Sequence, residues 1–176
     1  MLWAFNDTEA AVPSRDCIHD LVAAQAAATP AAAALEWHGD TMTYAELIES
    51  AGYLAAWLRH NSAAPDGVVA LQLHRSLEQV VGMLGTLLSG GAYLPLDPTG
   101  PSERRCFMME DAECEQLVAQ PVHLCDFTWV GGAVLPVDDT RSLAETRTHG
   151  PIQPMTPQNL AYMMCTSGST GPPKGV

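Results

Sequence analysis

Eleven consecutive residues, Thr166-Ser-Gly-Ser-Thr-Gly-Pro-Pro-Lys-Gly-Val176, combine hydroxyls, glycines and one lysine. Thr166, Ser167, Ser169 and Thr170 carry hydroxyls that can donate to phosphate oxygens, and Lys174 adds a mobile positive charge. Gly168, Gly171 and Gly175 let the backbone turn tightly and bring N–H groups close to a ligand. The chemistry is that of a phosphate cradle. Two familiar loop signatures do not fit it. A Walker-type loop needs Gly-x-x-x-x-Gly-Lys followed by Ser or Thr, whereas Lys174 follows Pro-Pro and precedes Gly175. The dinucleotide fingerprint also fails, because Gly168 and Gly171 have no third glycine in register. A flexible Ser/Gly linker has similar composition. The apolar run Leu160-Ala-Tyr-Met-Met-Cys165 before the loop and the Pro-Pro-Lys-Gly within it weigh against that reading.

Other chemically capable residues have plainer explanations. Glu110, Asp111, Glu113 and Glu115 could bind a divalent cation, but at a helix end they read as a solvated face. The six histidines are scattered, and no pair has the His-x-x-x-His spacing of metal ligands. Ser167 and Ser169 have no histidine partner in view, so a serine nucleophile is unsupported. Met108-Met109 and Met163-Met164 read as core filler.

The elements that must position the loop alternate between helix and strand patterns. Cys17 to Ala28 reads as an alanine-rich helix ending near Thr29-Pro30, and Ala33 to Trp37 with Asp40 to Thr43 as a hairpin turning at Gly39. Thr43 is an N-cap, with Glu46 completing a capping box. The helix that follows carries Leu47, Ala51, Leu54, Ala55 and Leu58 at helical spacing. Gly67 to Leu73 is an apolar strand, Ser76 with Gln79 repeats the capping pattern, and a helix over Leu77 to Leu88 leads to a strand at Ala92 to Leu96. Gly90 after that helix is an ordinary C-cap. A loop at Pro98 to Pro101, a helix over Glu103 to Ala112 and a strand at Gln116 to Gln120 complete the patterned part. The stretch from Pro121 to Pro157 predicts one strand and a short helix. Strands alternating with helices argue for a parallel sheet covered on its faces.

Composition sets the outer bounds. At 176 residues with 47% hydrophobic content, the chain can build a core, and its composition argues against disorder. A net charge of −12 without a basic stripe argues against nucleic acid and anionic membrane surfaces as partners. No apolar run approaches a membrane span, and Met1-Leu-Trp-Ala-Phe-Asn-Asp7 lacks the features of a signal peptide. Five widely spaced cysteines, Cys17, Cys106, Cys114, Cys125 and Cys165, fit reduced thiols in a cytoplasmic protein.

Leu160 to Val176 closely resembles the phosphate-binding core motif of adenylate-forming (AMP-binding) enzymes, and most closely that of nonribosomal peptide synthetase adenylation domains. Two further stretches agree in order: Met42-Thr-Tyr-Ala-Glu-Leu47 resembles the family's first core motif, and Leu88-Ser-Gly-Gly-Ala-Tyr-Leu-Pro-Leu-Asp97 with Pro101-Ser-Glu-Arg104 its second. Asn6-Asp-Thr8 and Ile18-His-Asp-Leu21 look like the approach to such a domain from an upstream condensation domain.

The resemblance implies an α/β fold: the N-terminal subdomain portion of the adenylate-forming enzyme fold, with a parallel-rich sheet, flanking helices and an incomplete sheet edge. It also implies an approach segment over residues 1–16 and a truncated adenylation domain over 17–176. Thr166, Ser167, Gly168, Ser169, Thr170, Gly171, Lys174 and Gly175 would hold the β and γ phosphates of ATP. Mg2+ is implied as well, with its ligand absent from this chain. An amino acid, a carrier protein and condensation domains are the implied partners. Cys165 stands where the family usually has an aromatic residue and reads as a packed thiol. The adenine-stacking motif, metal-binding glutamate, ribose-binding aspartate and catalytic lysine are missing, so this chain alone is not expected to form adenylate. Poor solubility of the isolated chain follows from an uncovered edge. An acyl-CoA synthetase-like ligase is the alternative within the superfamily, and a non-catalytic protein binding nucleotide or a partner, or an inert relic, lies outside it.

Overall fold

A computed structural model describes residues 16–61, 63–124, 129, 131–137, 155–166 and 174–175. Helix α1 (Ile18–Ala28) begins after Cys17, whose backbone N–H donates to the Asp20 carboxylate. Strands β1 (Ala33–Trp37) and β2 (Asp40–Thr43) form the expected antiparallel hairpin. Its turn uses positive φ at His38 (51°) and Gly39 (93°), the conformation that suits a two-residue hairpin loop. Helix α2 (Tyr44–His60) opens with the predicted capping box: the Glu46 N–H donates to Thr43 Oγ1 at 3.3 Å, and the Thr43 N–H donates to Glu46 Oε2 at 2.8 Å.

The main sheet holds β3 (Val68–Gln72), β4 (Ala92–Pro95), β5 (Gln116–Ala119) and β6 (Ala133–Pro136), ordered β4-β3-β5-β6 with every pair parallel. Helix α3 (Leu77–Ser89) connects β3 to β4, and α4 (Ser102–Asp111) connects β4 to β5. Alternation along β3 separates the two faces. Val69 and Leu71 pack with Leu54 and Leu58 of α2, while Ala70 packs with Met109 and Ala112 on the α4 side. With helices on both faces, β5 is buried at all four positions, as a parallel strand should be. The five residues at helical spacing in α2 are all buried. Gly90 caps α3 with φ 97°.

Among its described residues, the weakly patterned stretch holds a 3-10 turn (Pro121–His123) and β6. Gly132 is required where β6 begins, since a Cβ there would collide with the Glu115 carbonyl. Among the described residues no helix is long and apolar enough to cross a membrane. Residues 1–15, most of the proposed approach segment, and Cys125 lie outside the described residues.

Candidate functional site

The run from Leu160 to Cys165 is not one continuous strand. It makes a single parallel bridge, Tyr93 to Tyr162, against β4, and then the two-residue strand β7 (Cys165–Thr166). Tyr93 offers backbone groups to its first part: the Tyr93 N–H donates to Ala161 O at 3.2 Å, and the Met163 N–H donates to Tyr93 O at 3.0 Å. The Tyr93 and Tyr162 rings stack at 5.8 Å. Because the bridge is parallel, this segment runs with β4 and leaves at the carboxyl edge of the sheet. That edge is where open α/β sheets bind ligands.

β7 then pairs antiparallel with β8 (Lys174–Gly175), Cys165 opposite Gly175 and Thr166 opposite Lys174. The hydroxyl- and glycine-rich loop therefore closes between two paired strand ends. Of the sequence-predicted phosphate ligands, Thr166 and Gly175 are exposed on this stem, and the backbone of Lys174 belongs to β8. Ser167, Gly168, Ser169, Thr170 and Gly171 lie outside the described residues.

The thiols near the stem are chemically quiet. Cys165 packs against the Met109–Leu117 cluster, and burial, followed by the nearby Asp111 carboxylate, raises its pKa against a smaller opposing pull from Arg104. Cys114 is pushed up to about 12, first by burial and then by Cys165. Neither is a thiolate near neutral pH, which rules them out as ready nucleophiles. The described cysteines Cys17, Cys106, Cys114 and Cys165 are all free. Met109 is fully buried, as a core filler should be, but Met164 is 53% exposed beside the stem. The acidic run at the end of α4 is exposed at Glu110, Asp111, Glu113 and Glu115.

Sequence reasoning missed what fastens the segment ahead of the loop. Asp66, in a left-handed conformation with φ 64°, accepts from the Leu160 N–H at 2.6 Å and from Asn159 Nδ2 at 3.2 Å on both carboxylate oxygens. Asn159 Oδ1 in turn accepts from the Thr156 N–H at 3.0 Å and from the Thr156 hydroxyl at 2.9 Å. Asp66 lies more than ninety residues from Asn159 and Leu160 along the chain, so no local pattern could announce that contact. Also unforeseen is an apolar groove of about 590 Å³ between α1, α3 and the 155–162 segment, lined by Val22, Leu84, Leu87, Leu160 and Tyr162 among others.

Comparison with known proteins agrees with this geometry. Residues 22–176 match the AMP-binding enzyme family. The chain is 42% identical over 175 residues to tyrocidine synthase 3 of Brevibacillus parabrevis, covering 99% of this chain and 3% of that protein. The AMPPNP-bound nonribosomal peptide synthetase FmoA3 superposes with a TM-score of 0.83 at 32% identity, over 97% of this chain and 18% of that one. FmoA3 has also been solved in an alpha-methyl-L-serine-AMP bound form. The N-terminal subdomain of Klebsiella oxytoca NpsA superposes with a TM-score of 0.78 at 25% identity, over 93% of this chain and 42% of that one. The chain thus spans a small part of the length of the synthetases it matches. With a family match over residues 22–176, its parallel sheet and the strand-and-stem geometry at its carboxyl edge, the chain belongs to the AMP-binding enzyme family.

Proposed function

We propose that the chain forms the opening portion of an ATP-dependent adenylation domain that activates an amino acid for nonribosomal peptide synthesis. The observation that carries this reading is the β7–β8 stem, which closes a hydroxyl- and glycine-rich loop at the carboxyl edge of a parallel sheet. In the proposed reaction an amino-acid carboxylate oxygen bonds to the α-phosphorus of ATP. The bond to the β-phosphate oxygen breaks, and pyrophosphate leaves with the electron pair. Charge develops on the departing oxygens, so donors arranged around them stabilise the transition state. Ser169, Thr170 and the backbone N–H groups near Gly168 and Gly171 have the chemistry for that role, and Lys174 supplies attraction. The aminoacyl-adenylate would then be transferred to a carrier-protein thiol.

Mg2+ would accompany the ATP phosphates and offset their charge. Among the described residues the one cluster of three potential ligands is Cys17, His19 and Asp20, at the start of α1. A thiol, an imidazole and one carboxylate are a poor donor set for Mg2+, which takes oxygen ligands, so this cluster does not fit the ion. On this proposal the metal ligand, the ribose-binding group and the catalytic lysine belong to further chain or to a companion.

Two measurements test the reading. The reading frame past the codon for Val176 should continue into an adenine-binding motif and a C-terminal lysine loop. Amino-acid-dependent exchange of pyrophosphate into ATP by the enzyme carrying this chain should fall about 10²-fold on Lys174→Ala, the size of effect seen when a transition-state charge partner is lost. Exchange supported by fatty acids rather than amino acids would move the chain to the acyl-CoA synthetase branch.

A further inference from the structure

We propose that Asp66 and Asn159 are positioning residues for the phosphate loop, acting through the backbone of Leu160 without touching the nucleotide. The inference rests on the phosphate-binding reading above. The start of this stretch, at Leu160, is the part least held by packing among the described residues. The segment makes one bridge to β4, through Tyr93, and Leu160, Tyr162 and Met164 are 40%, 50% and 53% exposed. Met163 and Cys165 pack into the core cluster farther along, so burial holds the end of the segment and leaves its start at Leu160 without such a hold. The Asp66 carboxylate supplies one, by accepting the Leu160 N–H at 2.6 Å, a short charge-assisted bond. Asn159 locks the other side of the joint, since its amide donates to Asp66 while its oxygen accepts twice from Thr156.

Asp66 itself is anchored to the sheet. Its neighbour Gly67 accepts the Ala92 N–H at 2.8 Å, joining the start of β3 to the start of β4. A side chain at the amino end of the sheet thus sets where the chain begins its run toward the carboxyl end. From Leu160 to Thr166 is six residues, about 20 Å of extended chain. A slip at Leu160 is carried along that rise to the stem. Misplacing a binding group by about 1 Å can cost on the order of 10²-fold in rate.

The bonding pattern suggests a decisive exchange of side chains. Asn159→Asp places a second carboxylate against Asp66 and removes the donor between them. Asp66→Asn combined with Asn159→Asp rebuilds each contact with the roles reversed: the new amide at 66 accepts from Leu160 and donates to the carboxylate at 159, which still accepts from Thr156. We expect Asn159→Asp, in the enzyme carrying this chain, to raise the ATP KM about ten-fold, a modest share of what misplacement can cost. The amino-acid KM and the thermal midpoint should hold, and amide hydrogen exchange across residues 155–166 should quicken. The double variant should return the ATP KM to within about two-fold of the parent, since the coupled pair is rebuilt.

An unchanged ATP KM in Asn159→Asp overturns the proposal. So does a uniform loss of both KM values and thermal stability that the double variant fails to reverse, because that is the signature of a general structural contact. Parent enzyme that uses no ATP, with the exchange pattern across 155–166 still responding to the swap, would overturn the nucleotide reading and the positioning role together while leaving the anchor itself intact. The two failures are therefore distinguishable.

Discussion

Gln116 shows what a single residue can do that its sequence neighbours do not announce. Read from the chain, it opens an apolar strand. In the fold it is 2% exposed, and its Nε2 donates to Leu58 O at 3.0 Å and Asn61 O at 2.6 Å, closing the carbonyl end of α2. The capping pair Thr43 and Glu46 was legible because its signal spans three residues, whereas Gln116 and Asp66 meet partners far along the chain. Residue chemistry also predicts a pH response. Cys114 titrates near 12 in the folded chain, against an ordinary value of 9.0. Above pH 9 the unfolded thiol gives up its proton while the folded one keeps it, so the unfolded state binds fewer protons and stability falls with rising pH. Denaturant midpoints should decline between about pH 9 and 12, and Cys114→Ala should flatten that part of the decline. An equally steep profile in the variant would assign the effect elsewhere.

At the level of elements, α2 and α3 meet through a glycine. A Cβ on Gly85 would stand 2.7 Å from Leu54 Cδ2, whereas one on Gly52, in α2, meets nothing within 4 Å. The same substitution should therefore have opposite signs at the two sites. Gly85→Ala should destabilise by about 1–3 kcal/mol through overpacking, and Gly52→Ala should stabilise by about 0.5–1 kcal/mol through lower unfolded-state entropy. Urea denaturation of the two variants reads the difference, and matching signs would contradict the packing described. Helices, hairpin and strand order of appearance were legible here, because each element carries its own periodicity and punctuation. The break in the 160–165 run was not. An apolar stretch looks the same whether it forms a continuous ladder or, as here, a single bridge to β4 followed by a two-residue strand.

For the molecule as a whole, net charge and apolar exposure pull in opposite directions. A charge of −12 keeps copies apart. Against it stand Leu160, Tyr162 and Met164 on alternate positions, Ile18 at 62% and Leu21 at 46% exposed on α1, and the apolar groove that several of these border. Contiguous apolar surface of this kind favours association. The 176-residue chain on its own should self-associate, increasingly so as salt screens its charge. Light scattering across a salt series measures this, and a monodisperse monomer at high salt would count against it. The family and the direction of the sheet were legible from three ordered motifs. Which face stays apolar was not, since exposure is decided by what the assembled elements leave uncovered.

The β7–β8 stem has one more consequence, which concerns length. With Thr166 opposite Lys174, the turn between them is fixed at the seven positions 167–173. A residue added among those seven lengthens the turn and leaves the pairing as it is, since strand alternation governs only paired positions. It does change how far along the chain Ser169 and Thr170 stand from Lys174. In the proposed role these hydroxyls and that ammonium act on one phosphate group, so the stem fixes the starting point of Lys174 while the turn sets its spacing from the hydroxyls. Length and residue type across the turn are then constrained together.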